Sequence, residues 1–194
     1  MSRGRLEAFT DGVIAILVTI MVLDLRPPAG HGFSDLRPLV PKLLVYLLSF
    51  VVLAIYWNNH HHLFHAVHHV TGGTLWANMH LLFWLSLVPF CTGWMDDNHY
   101  APVTVAAYGV VLLCAGIAYY MLTRVLLAHH EPDSLLHKAL GSDFKGKISI
   151  VLYAIAIPLA FFLTWAALAI YALVALVWLV PDTRFERVLA EHNS

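Results

Sequence analysis

From Ile148 to Val180 the chain runs almost without a break through apolar side chains, Ser149 and Thr164 being the polar exceptions beside two tyrosines. As one helix rising about 1.5 Å per residue it would reach roughly 50 Å, well beyond the ~30 Å hydrocarbon layer of a bilayer. The segment must therefore cross and return. The break is expected near Thr164-Trp165, where a polar residue meets an aromatic that favours the membrane interface, as a tight outer turn. Pro158 is expected to kink the helix before it. The rest of the chain has the same character: 60% of its residues are hydrophobic and only 12% charged, with a mean hydropathy of +0.73. That leaves too little polar surface for a soluble globule, and the chain reads as an integral membrane protein.

Further apolar runs lie at roughly 6–25, 39–64, 74–95 and 101–128, so that with 146–163 and 165–181 six spanning helices are predicted. Arg3 and Arg5 before the short apolar core Gly12 to Leu23 would suit a signal peptide. The core instead runs into Asp24-Leu-Arg-Pro-Pro, with no small-residue cleavage site, and it reads as a first span. Lys and Arg set the orientation, since short cytoplasmic loops hold the excess. With both termini cytoplasmic, Arg3, Arg5, Arg124, Lys138, Lys145, Lys147, Arg184 and Arg187 lie inside, and only Arg26, Arg37 and Lys42 outside. The longest polar segment, about Ala128 to Lys147, is too short for a soluble core, so residues 1–194 read as a single membrane domain. A net charge of −1 gives no reason to expect nucleic acid. Cys91 and Cys114 fall inside apolar runs and read as buried free thiols.

At 100° per residue, Arg5, Phe9, Gly12, Ile16, Ile20 and Leu23 share one stripe of the first helix, with Thr19 roughly 60° to its side. If that stripe faces a symmetry axis, Ile16, Ile20 and Leu23 each add a ring of branched apolar side chains, a constriction that can gate by dewetting. Packing against another helix or lipid explains the same stripe more simply, and a lone Thr usually bonds back to its own helix. Asp11 sits about 140° round from Ile16 and points elsewhere. A carboxylate at that depth needs a partner. Arg5 is on a different face, so the candidates are Trp57 and the histidines at the inner end of the second helix. Asp24, at the outer end, reads as a solvated end-cap or a group that draws in cations.

Residues 57–69, Trp-Asn-Asn-His-His-His-Leu-Phe-His-Ala-Val-His-His, hold six of the thirteen histidines. On a helix His61, His65, His68 and His69 share a face, which could chelate a metal. The run contains no Cys, Asp or Glu, however, and hydrogen bonding is the simpler use, with proton-linked modulation as another.

Arg5-x-x-x-Phe9-Thr10-Asp11 resembles the RxxxFSD signature of the transmembrane protein 175 family of endosomal and lysosomal potassium channels, in its prokaryotic single-repeat form. Trp57-x-x-His60-His61-x-Leu63-Phe64, Leu87-Val-Pro89-Phe90-x-Thr92 and Pro181-Asp182-Thr183-Arg184 extend the resemblance over essentially the whole chain. It differs from the signature in Thr10 for Ser, which keeps the hydroxyl, and in the long histidine run. The resemblance implies an all-α homotetramer in a prokaryotic plasma membrane, with its pore lined by the first helix of each subunit. Ile16, Ile20 and Leu23 would form the constriction, Thr19 would contribute to selectivity, and Asp24 would lie at the outer mouth. Arg5, Phe9, Thr10, Asp11, Trp57 and His60 would support the pore helix from behind.

No TVGYG segment occurs, so a carbonyl-lined filter is absent and potassium selectivity over sodium is expected to be modest, with proton permeation possible. The expected function is a potassium-conducting channel with no catalytic residues, no cofactor and no resident metal. The rival is a proton- or metal-coupled transporter working through His60 to His69. It would need intramembrane polar groups on several helices, and the chain offers little beyond Asp11, Asn78, His80 and Pro158. A membrane enzyme would need a nucleophile or carboxylates beside the histidines, and the pattern contains neither.

Overall fold

The computed structural model describes residues 2–67, 69–128 and 144–179. Its elements are α1 (Arg3–Leu23), a 3-10 turn η1 (Phe33–Leu39), α2 (Val40–His65), α3 (Gly72–Ser86), α4 (Val88–Asp97), α5 (Pro102–Leu127), α6 (Phe144–Leu159) and α7 (Thr164–Leu179). The chain is all-helical, and its spans follow the six apolar runs, α3 and α4 together making the third. Lys138, Arg184, Arg187, His68 and the Pro181 to Arg184 motif lie outside the described residues.

The helix starts follow from local chemistry. Pro41 and Pro102 occupy the first turn of α2 and α5, where a missing N–H costs no hydrogen bond. Before α3, Thr71 Oγ1 accepts from Thr74 N at 3.2 Å and Thr71 N donates to Thr74 Oγ1 at 3.4 Å, a reciprocal cap. Two features differ from expectation, both at prolines. The third span was read as one helix over 74–95, whereas it breaks at Leu87. Pro89 has no N–H to return to the Leu85 carbonyl, and Leu87 N bonds only three residues back, to Trp84 O. Pro158 ends its helix rather than kinking it. Beyond it Phe161 N and Phe162 N bond to carbonyls three residues back, and α7 restarts at Thr164. The return of the last apolar stretch therefore lies at residues 160–163, immediately before Thr164-Trp165.

α5 is the central helix, packed against α3, α4, α6 and α7, while α1 lies at the edge of the bundle against α2, α3 and α4. At one end Lys42 Nζ meets Asp96 Oδ2 at 2.7 Å, tying the start of α2 to the end of α4. At the other, Arg3 Nη1 donates to the His65 and Val67 carbonyls at 3.3 and 3.2 Å, joining the start of α1 to the end of α2. The first three spans, α1, α2 and α3 with α4, thus alternate in direction, as a chain threading back and forth through a bilayer must.

Candidate functional site

α1 has two unlike sides. Leu6, Thr10, Ile14, Leu17 and Met21, spaced four, four, three and four residues apart, form its buried stripe. Ile16, Ile20 and Leu23 are 57%, 46% and 77% exposed, and Phe9 is also uncovered. In a chain this apolar, that face meets lipid or another protein surface. Beside it, Thr19 Oγ1 donates to its own helix, 3.0 Å from Ala15 O and 2.9 Å from Ile16 O. With its proton committed inward, the oxygen turns its lone pairs outward as an acceptor.

The opposite side is held by polar contacts through two routes. Trp57 Nε1 donates to Asp11 Oδ1 at 2.9 Å, so the acid's partner is the tryptophan of α2. One position earlier, Thr10 is completely buried. Asn78 Nδ2 donates to Thr10 Oγ1 at 2.9 Å, and His60 Nε2 lies 2.9 Å from Asn78 Oδ1. His60 is also buried, its ring stacked on Phe64 with centroids 4.3 Å apart. Because Asn78 Oδ1 only accepts, His60 Nε2 carries the proton in this arrangement. Thr10 Oγ1, both ends of the Asn78 amide and His60 Nε2 thus have partners, as burial in a low-dielectric interior favours.

The residues expected to support α1 from behind therefore divide. Thr10, Asp11, Trp57 and His60 are brought together by α1, α2 and α3. Arg5 and Phe9 stand on the exposed side, and Arg5 makes no hydrogen bond or ion pair among the described residues. The basic tie at that end of α1 comes instead from Arg3, which also pairs with Glu7 at 3.4 Å. Asn78 completes the Thr10–His60 link. The sequence signal for it is an amide inside the apolar run Leu75 to Leu87, which marks an intramembrane polar group without naming its partners. A second buried cluster also went unforeseen: Ser49 Oγ lies 2.7 Å from Thr92 Oγ1 and 3.1 Å from Tyr108 Oη, joining α2, α4 and α5.

Of the remaining histidines of the run, His61 and His62 meet edge-on with ring centroids 5.7 Å apart. His61 stacks on Trp57 and meets His65 edge-on, both exposed. Among the described residues no three His, Cys, Asp or Glu side chains converge as a metal site. Asp24 sits at the far end of α1 with its carboxylate beside Gly93, at a surface cleft also lined by Ile20, Trp94 and Asp97.

The bundle, its apolar spans and the polar clamp behind an uncovered first helix define a multi-pass membrane protein of the channel-forming kind. The description "Endosomal/lysosomal potassium channel TMEM175" belongs to the family model that matches residues 5–89, the segment holding α1, α2, α3 and their contacts. A curated potassium channel of Chryseobacterium sp. is 49% identical over 99% of this chain and all of its own length. The crystal structure of a lysosomal potassium-selective channel TMEM175 homologue from Chamaesiphon minutus superposes with a TM-score of 0.77. It is 27% identical and covers 93% of this chain and 97% of that one. The mouse endosomal/lysosomal proton channel TMEM175 is 24% identical over 69% of this chain and 28% of its own length. The chain belongs to the TMEM175 family. Its relatives are ion channels, and it is not an enzyme.

Proposed function

We propose that this protein is the subunit of a cation channel that passes potassium down its electrochemical gradient. Four copies would place their α1 helices around a common axis, as one six-helix domain per subunit with both termini cytoplasmic. The observation that carries this reading is the two-sidedness of α1. Ile16, Ile20 and Leu23 are left uncovered while the opposite side is fixed to α2 and α3 through Asp11–Trp57 and Thr10–Asn78. Brought together on an axis, these side chains form apolar rings that close a pore by excluding water. The Thr19 oxygen, an acceptor turned away from the helix, supplies the polar ring among them. A few hydroxyl oxygens replace less of an ion's hydration shell than stacked carbonyl rings do, so preference for potassium over sodium is modest. The mouse relative is named a proton channel, in keeping with some proton permeation. Asp24 and Asp97, both carboxylates at the outer mouth, raise the local cation concentration there.

The coupled-transporter reading has no comparable support. His60 is committed to Asn78, and His61 and His65 contact aromatic rings on the bundle surface. The deciding experiment is flux from liposomes holding purified protein. Potassium movement that follows the imposed voltage without a coupled ion supports the channel. Saturable uptake that requires a proton or metal gradient overturns it.

A further inference from the structure

On the side of the bundle away from α1, a cavity of about 50 Å³ lies between α2, α5, α6 and α7. Its walls are mainly apolar, none of the lining residues carries a charge, and Tyr56, Asn59, Ser149 and Tyr153 contribute polar groups. Some of these groups are already satisfied. Trp178 Nε1 donates to Ser149 Oγ at 2.9 Å, and Tyr119 Oη donates to Asn59 O at 3.2 Å. Tyr56 and Tyr153 differ, because neither hydroxyl makes a hydrogen bond among the described residues, although Tyr153 is only 6% exposed. Among the described residues, the fully enclosed hydroxyl without a partner is that of Tyr100. The Tyr56 and Tyr153 oxygens, unpartnered but not enclosed, therefore border free space.

An unsatisfied hydroxyl inside a membrane bundle is costly, and two on one cavity call for an occupant that can bond to both. A charged occupant is disfavoured, since no counter-charge lines the walls and burial of an unpaired ion is prohibitive. A pure hydrocarbon would leave both hydroxyls unpaired. The volume suits about three to five waters or a single molecule of two or three carbons. We propose that this cavity is a binding site for a small neutral amphiphile, an alcohol- or ketone-sized molecule whose oxygen bonds to the Tyr56 and Tyr153 hydroxyls within apolar walls. Tyr56 precedes Trp57 on α2, and Trp57 holds Asp11 of α1, so α2 separates the cavity from α1. The inference stands apart from the channel reading, and its test does not depend on ion flux.

Trifluoroethanol, followed by its fluorine resonance, is the probe for the full-length protein in detergent micelles. The resonance is expected to shift saturably with protein, whereas empty micelles give only linear partitioning. Tyr56→Phe combined with Tyr153→Phe is expected to weaken binding about tenfold while leaving the melting temperature equal or higher, because each hydroxyl lost is unpartnered. Gly116→Ala is the second variant. Its added Cβ would sit 3.7 Å from Ile150 Cγ1 and 3.8 Å from Tyr56 Oη, at ordinary contact, narrowing the cavity without strain. It too should weaken binding with the fold intact. Unsaturable partitioning, equal binding by all three proteins, or a markedly lower melting temperature in the tyrosine double variant would each overturn the assignment.

Discussion

Trp57 donates its indole N–H to the Asp11 carboxylate at 2.9 Å, joining α2 to the side of α1 that faces away from Ile16. A charge-assisted hydrogen bond is worth about 1.5–3 kcal/mol where it is well shielded. Both side chains here are accessible, which argues for the lower end of that range. Trp57→Phe is therefore expected to lower stability by about 1–2 kcal/mol, read as a reduced melting temperature in detergent. Asp11→Asn in the Trp57→Phe background should cost little more, because the pair has already been broken. Fully additive losses in a double-mutant cycle would show that the two residues do not act together.

Asn78 bridges Thr10 and His60 and is itself completely buried. Asn78→Ala strands a hydroxyl and an imidazole at once, each costing about 1–3 kcal/mol if no water replaces the amide. The expected result is a larger loss of thermal stability than for Trp57→Phe. Thr10→Ser keeps the acceptor and should be tolerated, while Thr10→Val should behave like a milder Asn78→Ala. Equal melting temperatures for Thr10→Ser and Thr10→Val would remove the hydrogen bond from the account.

Ile16→Asn replaces the first uncovered branched side chain of α1 with an amide that water can wet. If Ile16 closes the path, flux through liposome-reconstituted protein is expected to rise several-fold, since a polar ring removes the dewetting barrier. The substitution faces outward, so the melting temperature should change little. Unaltered flux from a folded variant would detach Ile16 from the gate.

Thr19→Val keeps the shape and removes the oxygen. Reversal potentials in mixed potassium and sodium solutions are expected to move toward equal permeability, with Thr19→Ser retaining most of the preference. The hydroxyl proton already bonds within the helix. A loss of selectivity would therefore report on the oxygen's outward lone pairs rather than on helix geometry.

How far the sequence foretold these features depends on whether a residue acts along its own helix or across to another. The six spans were legible because bilayer thickness limits helix length, which forced the turn before Thr164 in the long final run. The face of α1 was legible from its 100° period, which separated Asp11 from Ile16. Partner identity was only narrowed. Trp57 was one candidate among several because two helices must first pack before their side chains meet. Arg3 in place of Arg5 follows from a difference of two residues, about 200° around a helix, together with the position of the α2 carbonyls. That position is a tertiary fact. The Thr10–Asn78–His60 chain has contributions from three helices, and no local pattern encodes it. The breaks at Leu87 and after Pro158 are of another kind. A proline can kink, split or end a helix, and the packing of its neighbours decides which.

Two glycines on α5 offer a paired test of close packing. At Gly109 an added Cβ would collide with the Tyr171 hydroxyl, lie 2.7 Å from its Cζ and come 3.0 Å from Ile157 Cγ1. Tyr171 cannot easily give way, since it is fully buried, donates to Val105 O at 3.3 Å and has its ring centroid 5.8 Å from that of Tyr108. Gly109→Ala is expected to cost about 1–3 kcal/mol, as overpacking of a dense interior does. Gly116→Ala, two turns further on and at ordinary contact distances, should be near neutral. Tyr171→Phe should relieve only part of the Gly109→Ala penalty, because the ring carbon still crowds the new methyl after the hydroxyl is gone. Melting temperatures of the two alanine variants that fall together would show that α5 shifts to absorb the extra methyl at position 109.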